Sequence, residues 1–414
     1  MADGFRPGGA DADPALTIQG RTISYGAFRA MVERVEPPST GIADLAGLGV
    51  VDSLVAVFAA ARSGSVVLVR PPDSVAPSRP ELPAATFLVA LTSGTSGRPR
   101  GLARSADSWR ASFRPLAELA GLTSHDVVLL TGPLHSTLHL FGAVHTLWLG
   151  AHLTDDRQTA TAAHAVPAVL GDLLIDRPPR LRVVVVAGAH LPVGTEQDAT
   201  AAGVQVVEYY GAAELSFVAA RVAPAPLTAF PGVQVRIVDG ELRARSPYLA
   251  LGQLPTSPGE SRLIPIADAD GFAGVGDLAT TDAGGGIIIR GRGDAAITTG
   301  GHTVLAEDVE AVIGALPGVR AVAVVGLPHA RLGQVLAAVV ELAPDAELAD
   351  IRAQARGSLT GAARPRRWAV VAALPRTDGG KIARSRVPVL LFGPPDSGRG
   401  VHRRPAPATA RSER

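Results

Sequence analysis

Two segments of the chain carry residue types and spacings suited to chemistry, and one of them contains the only lysine. The sequence has 39 lysines and arginines, and Lys381 is the single lysine among them. Lysine presents a compact point charge and arginine a wide planar fork, so the two do not replace each other at a tight reacting centre. Lys381 lies in a segment rich in turn-forming residues, 374–382. We therefore expect Lys381 to act in catalysis; the alternative is a surface lysine without a function.

The second segment is a loop rich in glycine and hydroxyl side chains. Its residues are Thr92, Ser93, Gly94, Thr95, Ser96, Gly97, Arg98, Pro99, Arg100 and Gly101. Glycines let backbone amides turn toward an anion, hydroxyl groups add donors, and arginines supply charge for phosphate. The loop lacks the Gly-Lys-Ser/Thr ending of the P-loop NTPases. It predicts a phosphate-binding site of another type; the alternative is a polar turn without a ligand.

The elements that must position these two segments alternate between strands and helices. A strand is predicted directly before the loop, at 86–91, and a helical stretch follows the loop. This alternation predicts an α/β body with largely buried strands. Beyond a glycine hairpin and a charged turn at 290–294, the pattern changes to a small α+β unit of about a hundred residues. We therefore predict domains at 1–293 and 294–395 and a disordered tail at 396–414.

Composition and charge exclude several classes of function. The 414 residues are 47% hydrophobic and 19% charged, as in a globular protein of two or three domains. A net charge of +1 gives no field for nucleic acid, and no apolar run is long enough for a membrane span. The chain has no cysteine, which excludes disulfides and thiolate metal sites. Residues 1–14 lack the apolar region of a secretion signal, so we expect a cytoplasmic protein.

Six segments, in order along the chain, resemble those of the adenylate-forming superfamily, which includes acyl-CoA synthetases, peptide-synthetase adenylation domains and luciferases. They are the 92–101 loop, 210–214 (Tyr-Gly-Ala-Ala-Glu), 276–277 (Gly-Asp), 291–294 (Gly-Arg-Gly-Asp), 300–301 (Gly-Gly) and 375–381, which ends in Gly-Gly-Lys. The resemblance implies a large N-terminal α/β body and a small, mobile α+β C-terminal lid. It also implies ATP and Mg²⁺ as cofactors, together with coenzyme A. The chain resembles a short member of the family, trimmed before the phosphate loop.

The resemblance assigns a role to each matching residue. Lys381 would reach the substrate carboxylate and the α-phosphate, Glu214 would hold Mg²⁺ with Thr95, and Asp294 would be the hinge of the lid. The pyrophosphate would be held by Thr92, Ser93, Gly94, Thr95, Ser96, Gly97 and Arg100. The nucleoside would be bound by stacking on Tyr210, by backbone at Gly188, Ala189, Gly211 and Ala212, and by Asp277 and Arg292 at the ribose. Gly300 and Gly301 would serve the second half-reaction, with the acceptor.

The acyl pocket and the departures from the family pattern are less clear in the sequence. His135, in a Pro-Leu-His segment, is our choice for the residue that gates the pocket, and a structural histidine is the alternative. Further candidates on the acyl side are His139, Ala187, His190 and Tyr209. Arg100 stands where the family usually has lysine. Ala213 stands where a threonine usually donates a hydrogen bond to the α-phosphate. Loss of that hydrogen bond costs about 1–3 kcal/mol if no other donor replaces it.

The resemblance implies an enzyme that activates a carboxylic acid with ATP, releases pyrophosphate and transfers the acyl group to coenzyme A. Alternatives with the same adenylation site use another acceptor, a carrier protein or an amine, or activate nitrite for diazotisation of an aryl amine. An alternative of another class is a non-catalytic relative that binds nucleotide or an acyl ligand. The intact set of Glu214, Asp277, Arg292 and Lys381 argues against this last alternative.

Overall fold

The computed structural model describes residues 5–38, 41–77, 81–92, 100–255, 262–292, 296–299, 302–329, 331–359, 361–377 and 380–388. Within these ranges the chain folds into four β-sheets and eight α-helices. None of the helices in these ranges has both the length and the apolar character needed to cross a membrane.

The largest sheet has nine strands and forms the centre of the N-terminal body. Its spatial order is β13-β12-β11-β10-β9-β7-β8-β1-β2, and the inner strands β8, β7, β9, β10 and β11 are parallel. The bounds are β1 Pro14–Ile18, β2 Arg21–Ser24, β7 Val127–Leu129, β8 His152–Thr154, β9 Ala162–Ala165, β10 Val183–Val186, β11 Gln205–Ala212, β12 Ser216–Val222 and β13 Thr228–Ala229. β10 consists of four valines with at most 1% exposure, which is typical of a strand covered on both faces.

A second sheet of five strands carries the predicted phosphate loop. Its order is β16-β6-β5-β4-β3, with bounds β3 Ile42–Asp44, β4 Val66–Val69, β5 Thr86–Thr92, β6 Arg100–Ser105 and β16 Gly252–Gln253. The predicted strand before the loop and the predicted helix after it are confirmed, but the short strand β6 between the loop and that helix was not predicted. The loop joins the antiparallel strands β5 and β6, and the helix begins only at Ala106. Arginine, leucine and alanine favour helix in isolation, and pairing of β6 with β5 and β16 overrides that preference.

Six helices pack against these two sheets. They are α1 Tyr25–Arg34, α2 Val50–Ser63, α3 Ala106–Ala120, α4 Thr137–Leu149, α5 Pro167–Ile175 and α6 Val193–Ala201. The core between them is rich in edge-to-face aromatic contacts, in which Trp109 on α3 touches Phe87 on β5 and Phe141 on α4. Ser24 caps α1 through a bond from the Ala27 amide, and Gly64 ends α2 in the left-handed conformation.

A third sheet of four strands leads from the large body toward the C-terminal unit. Its order is β14-β15-β17-β18, with bounds β14 Gln234–Val238, β15 Glu241–Arg245, β17 Ala273–Thr281 and β18 Ile287–Arg292. The predicted glycine hairpin joins β17 and β18, and Asp282 accepts hydrogen bonds from the amides of Gly284 and Gly286, both at 2.8 Å. This arrangement pairs Asp277 with Arg292 across the two strands.

The C-terminal unit has the α+β composition that the sequence predicts. Its sheet contains β19 Ala296–Thr299, β20 His302–Leu305, β21 Val319–His329, β22 Gly333–Leu342 and β23 Arg367–Val370, and its helices are α7 Ala306–Gly314 and α8 Leu348–Ser358. It has its own hydrophobic core, which includes Ile313, Val324 and Leu336. The proposed boundary at Asp294 lies outside the described residues.

Candidate functional site

The candidate site lies at the carboxyl ends of the parallel strands in the nine-stranded sheet. Ala187 and Gly188 follow β10, and Tyr209 and Tyr210 lie near the end of the neighbouring strand β11. The register pairs Val186 with Glu208, so Ala187 and Tyr209 occupy the next positions on adjacent strands. Open α/β sheets bind ligands at this edge, where the chain leaves the strands. The sheet therefore brings predicted nucleoside and acyl residues together.

Lys381 reaches the same edge from the C-terminal unit. A Cβ atom at Gly188 would lie 2.8 Å from Cε of Lys381 and 3.6 Å from its Nζ, and Gly188 has φ +92°. The neighbouring Gly380 contacts the same body, since a Cβ there would lie 2.8 Å from Cγ2 of Val166, which follows β9. The turn is held by hydrogen bonds from Thr377 N to Lys381 O and from Gly380 N to Thr377 O, at 2.7 and 2.8 Å. Thus the only lysine lies directly against a predicted nucleoside-binding glycine.

Tyr210 and Asp277 form a direct contact between two sheets. The Tyr210 hydroxyl donates a 2.6 Å hydrogen bond to Oδ2 of Asp277, and Asp277 is only 8% exposed to solvent. A hydrogen bond to an ionised carboxylate is short and stronger than one between neutral groups. The family resemblance assigns adenine stacking to Tyr210 and ribose binding to Asp277, and it does not show that one side chain orients the other. The Asp277 carboxylate is therefore held in place before any ribose arrives.

The backbone after Tyr210 requires glycine. A Cβ at Gly211 would lie 1.9 Å from the carbonyl oxygen of Ser216, and the pairing of β11 with β12 shifts register between Tyr210 and Gly211. Ala212 and Ala213 follow, and Leu215 N closes the turn on Ala212 O at 3.1 Å. Glu214 stands in this turn, half-buried, and its carbonyl accepts a 2.8 Å hydrogen bond from Ala250 N. The turn thus has fixed backbone on both sides of the predicted metal carboxylate.

Arg104 is a residue near this turn that we did not identify from the sequence. It is 2% exposed, and its guanidinium donates to the carbonyl of Ala213 at 2.6 Å, to the carbonyl of Tyr248 at 2.9 Å and to Oγ of Ser108 at 3.2 Å. Burial lowers the pKa of Arg104 to about 10, and the charge of Glu214 opposes that shift. The guanidinium is therefore protonated at neutral pH. No local pattern in the sequence marks this residue, because its burial follows from the pairing of β6 with distant strands.

Three buried histidines, His139, His145 and His164, lie together and include the predicted acyl residue His139; we call them the histidine cluster. Burial is the main cause that lowers their pKa values, to about 4 for His139 and His145 and about 3 for His164, so all three are neutral at pH 7. The Thr131 hydroxyl donates to the carbonyl of His164 and therefore accepts from Nδ1–H of His139, at 3.2 Å. His139 thus supports the packing of α4, and His135, just before α4, is half-buried beside it.

The other predicted acyl residues differ in exposure. Ala187 is 3% exposed, and the ring of Tyr209 lies 4.4 Å from that of Phe217 between centroids. Burial raises the pKa of Tyr209, so its hydroxyl is neutral. His190 and Ala189 are exposed at the rim of the sheet edge. Their roles in substrate binding stay predictions.

Several predicted residues lie outside the described residues. These are Ser93, Gly94, Thr95, Ser96, Gly97, Asp294, Gly300 and Gly301, together with the side chains of Thr92 and Arg292. The backbone positions of Thr92 and Arg100 are paired across β5 and β6, so the loop begins and ends at one point of the sheet. The same strand β6 then leads to Arg104.

The donor set near Glu214 suits a magnesium ion that takes most of its ligands from substrate and water. In the described part of the chain there is no group of three or more histidine, cysteine, aspartate or glutamate side chains that could hold a metal by itself. Magnesium commonly binds one or two carboxylates together with substrate phosphates and keeps several waters. A single carboxylate in a fixed turn is compatible with this arrangement.

Comparison with known proteins shows the family of the chain. The family model described as AMP-binding enzyme matches residues 47–256, and that described as AMP-binding enzyme C-terminal domain matches residues 308–381. An uncharacterised acyl–CoA ligase of Bacillus subtilis is 29% identical over 336 residues, covering 73% of this chain and 68% of that protein. A probable 2-succinylbenzoate–CoA ligase of Mycobacterium tuberculosis is 31% identical, covering 75% and 85%. The matched part of the chain thus covers 68% of the first relative's length and 85% of the second's.

A solved structure supports the fold. The structure of E. coli MenE with bound OSB-AMS superimposes with a TM-score of 0.77 at 23% identity, covering 92% of this chain and 96% of that one. The likeness at this level of identity concerns the fold. It confirms the predicted α/β body followed by a C-terminal α+β unit.

Proposed function

Because the chain belongs to the AMP-binding enzyme family and is therefore an adenylate-forming enzyme, we propose that it is an AMP-forming acid–CoA ligase. The relatives include ligases that join carboxylic acids to coenzyme A. The observation that carries the proposal is the placement of Lys381 against Gly188, at the sheet edge that also holds the Tyr210–Asp277 pair. A lysine from the C-terminal unit at a nucleoside-binding edge is the arrangement needed for the first half-reaction.

In this half-reaction a carboxylate oxygen of the acid attacks the α-phosphorus of ATP. The bond to the bridging oxygen breaks, and pyrophosphate leaves with its electron pair, giving an acyl-adenylate. Lys381 would hold the incoming carboxylate and the α-phosphate together and offset the negative charge that concentrates between them. Tyr210 would stack on adenine while its hydroxyl holds Asp277 toward the ribose. Arg100 and the loop 92–97 would receive the pyrophosphate.

Glu214 would hold Mg²⁺, with Thr95, against the ATP phosphates. The ion supplies charge neutralisation at the phosphate oxygens when bound. The fixed turn around Glu214 supports this role, because a carboxylate presented from anchored backbone needs little reorganisation. Ala213 provides no side-chain donor for the α-phosphate, so more of that task falls to Lys381.

In the second half-reaction the thiol of coenzyme A would attack the acyl carbon, and AMP would leave. We propose that the C-terminal unit, residues 294–395, turns about Asp294 between the two steps and brings Gly300 and Gly301 to the site. Withdrawal of Lys381 from Gly188 would open the path for the thiol. The acid itself would lie on the side of His135, Ala187 and Tyr209.

The proposal is tested by incubating the protein with ATP, Mg²⁺ and a panel of acyl and aryl carboxylic acids, with and without coenzyme A. We expect pyrophosphate release with one class of acid and a thioester only when coenzyme A is present. If nitrite leads to pyrophosphate release and none of the carboxylic acids does, the acid–CoA ligase assignment is wrong. Thioester formation replaced by transfer to an amine or a carrier protein would correct the acceptor. The similarities found favour coenzyme A over these alternatives.

A further inference from the structure

Three separate stretches of chain meet at Arg104. Its guanidinium donates to Ala213 in the turn that carries Glu214 and to Tyr248 in the segment before β16. That segment in turn binds the other two stretches, through Ala250 N to the carbonyl of Glu214 and Leu251 N to the carbonyl of Ala103, both at 2.8 Å. The turn with Glu214, the strand leaving the phosphate loop and the 248–251 segment are therefore tied to one another around one buried cation.

Arg104 also has a fixed relation to the phosphate loop. It lies four residues after Arg100 on β6, whose residues 100–104 pair in consecutive order with β5, so the two side chains project from the same face, about 13 Å apart along the strand. Arg100 begins the strand at the loop, and Arg104 lies below it in the core. The strand thus connects the loop to the Glu214 turn through a rigid element.

The acceptors of Arg104 distinguish it from an ordinary buried ion pair. Among the described residues, its guanidinium donates hydrogen bonds to neutral oxygens, two carbonyls and one hydroxyl. A planar guanidinium can serve two carbonyls in a fixed geometry, which a single ammonium cannot do as well. Hydrogen bonds from a charged donor are stronger than those between neutral groups, so together they can select one conformation of a turn.

We propose that Arg104 is a positioning residue that fixes the Ala213–Glu214 turn against the phosphate loop, so that the Glu214 carboxylate meets the metal bound to the ATP phosphates. This inference rests on the proposed function. Arg104 itself touches no reacting atom. Its loss should therefore weaken the metal-dependent part of ATP binding and leave the nucleoside part, at Tyr210 and Asp277, largely intact.

The test compares two ligands by isothermal titration calorimetry, ATP with Mg²⁺ and AMP with EDTA. For Arg104→Met, which keeps an unbranched apolar side chain in the buried space, we expect ATP–Mg²⁺ to bind at least tenfold more weakly and AMP to change by less than threefold. Arg104→Lys keeps the charge but not the fork, and we expect an intermediate loss for ATP–Mg²⁺ alone. If Arg104→Met does not fold, the Lys variant decides by the same comparison.

The matched control is Arg182→Met. Arg182 lies at the amino-terminal end of β10, opposite the end that leads to Gly188, and forms an ion pair with the buried Asp126. Loss of the Arg182 guanidinium should therefore lower the melting temperature without changing the affinity for either ligand. Equal losses of ATP–Mg²⁺ and AMP binding in the Arg104 variants, or no loss in a folded variant, would overturn the inference. If the wild-type protein binds ATP–Mg²⁺ but none of the acids in the panel leads to pyrophosphate release, the proposed function is contradicted and the inference about Arg104 is not.

Discussion

The contact between Gly188 and Lys381 makes the Gly188→Ala variant a sharp test of the adenylation geometry. The added Cβ would lie 2.8 Å from Cε of Lys381. Carbon atoms pack best at about 3.5–4.0 Å, so the lysine must move by roughly 1 Å. A displacement of about 1 Å at a reacting centre can cost about 10²-fold in rate. We therefore expect pyrophosphate release, with the acid that the wild type uses, to slow by about that factor.

The variant also places alanine at a positive φ, which costs about 1–2 kcal/mol of stability by itself. Gly203→Ala is the matched control for this effect, since Gly203 has φ +69° and no atom within 4 Å of its added Cβ. Both variants should lose a similar free energy of unfolding in urea. Only Gly188→Ala should slow adenylation. AMP binding, measured separately, shows whether the new methyl group disturbs the nucleoside instead.

A double-mutant cycle with Lys381→Ala completes the argument. If the methyl group acts by displacing the lysine, Gly188→Ala should have little further effect on a protein that already lacks it. The reasoning is refuted if Gly188→Ala adenylates within threefold of Gly203→Ala. It is also refuted if the two changes at Gly188 and Lys381 are fully additive.

The other predictions concern single groups of the site and the core. Lys381→Arg keeps the charge but widens the head group, so the rate of adenylation should fall at least tenfold, which corresponds to about 1.4 kcal/mol of barrier. The rate is measured as pyrophosphate release, and an unchanged rate would contradict the role of Lys381. Tyr210→Phe removes the bond to Asp277, so urea unfolding should show a loss of about 1.5–3 kcal/mol and AMP titration a weaker affinity; if neither changes, the bond does not orient the carboxylate. The histidine cluster has folded pKa values of about 3–4, below the unfolded value of 6.5, so stability is full at neutral pH and falls as the pH drops from 6.5 toward 4. Each histidine adds a slope of up to about 1.4 kcal/mol per pH unit, which urea midpoints measured across this range would reveal, and a flat profile would show that these rings are not buried neutral.

The strands and helices of the fold follow closely from local sequence. The strand at 86–91 and the glycine hairpin at 282–286 each have a local signal, an apolar run and a glycine cluster, and both are confirmed. The strand β6 was not predicted. Its residues have no alternation because both faces are buried, and only pairing with distant strands makes it extended.

The candidate site shows the same division between local and tertiary information. Motifs identified Lys381, Tyr210 and Asp277 one by one. The hydroxyl–carboxylate bond between Tyr210 and Asp277 depends on how two sheets meet, and no spacing in the sequence contains that information. Arg104 was missed for a related reason. An arginine on a strand resembles a surface residue until its burial is known.

The two arginines of β6 and the one lysine explain why the basic residues are not interchangeable here. Arg100 and Arg104 belong to a strand held on both sides, where a broad guanidinium can bond several oxygens without moving. Lys381 comes from a separate unit and lies along a glycine whose missing side chain leaves width for a methylene chain. A guanidinium is wider than an ammonium and would fit less well in that gap. The chain can therefore use arginine wherever the cation stays in place, and it needs lysine at the one position where, on the proposed mechanism, the cation must enter the site and then withdraw.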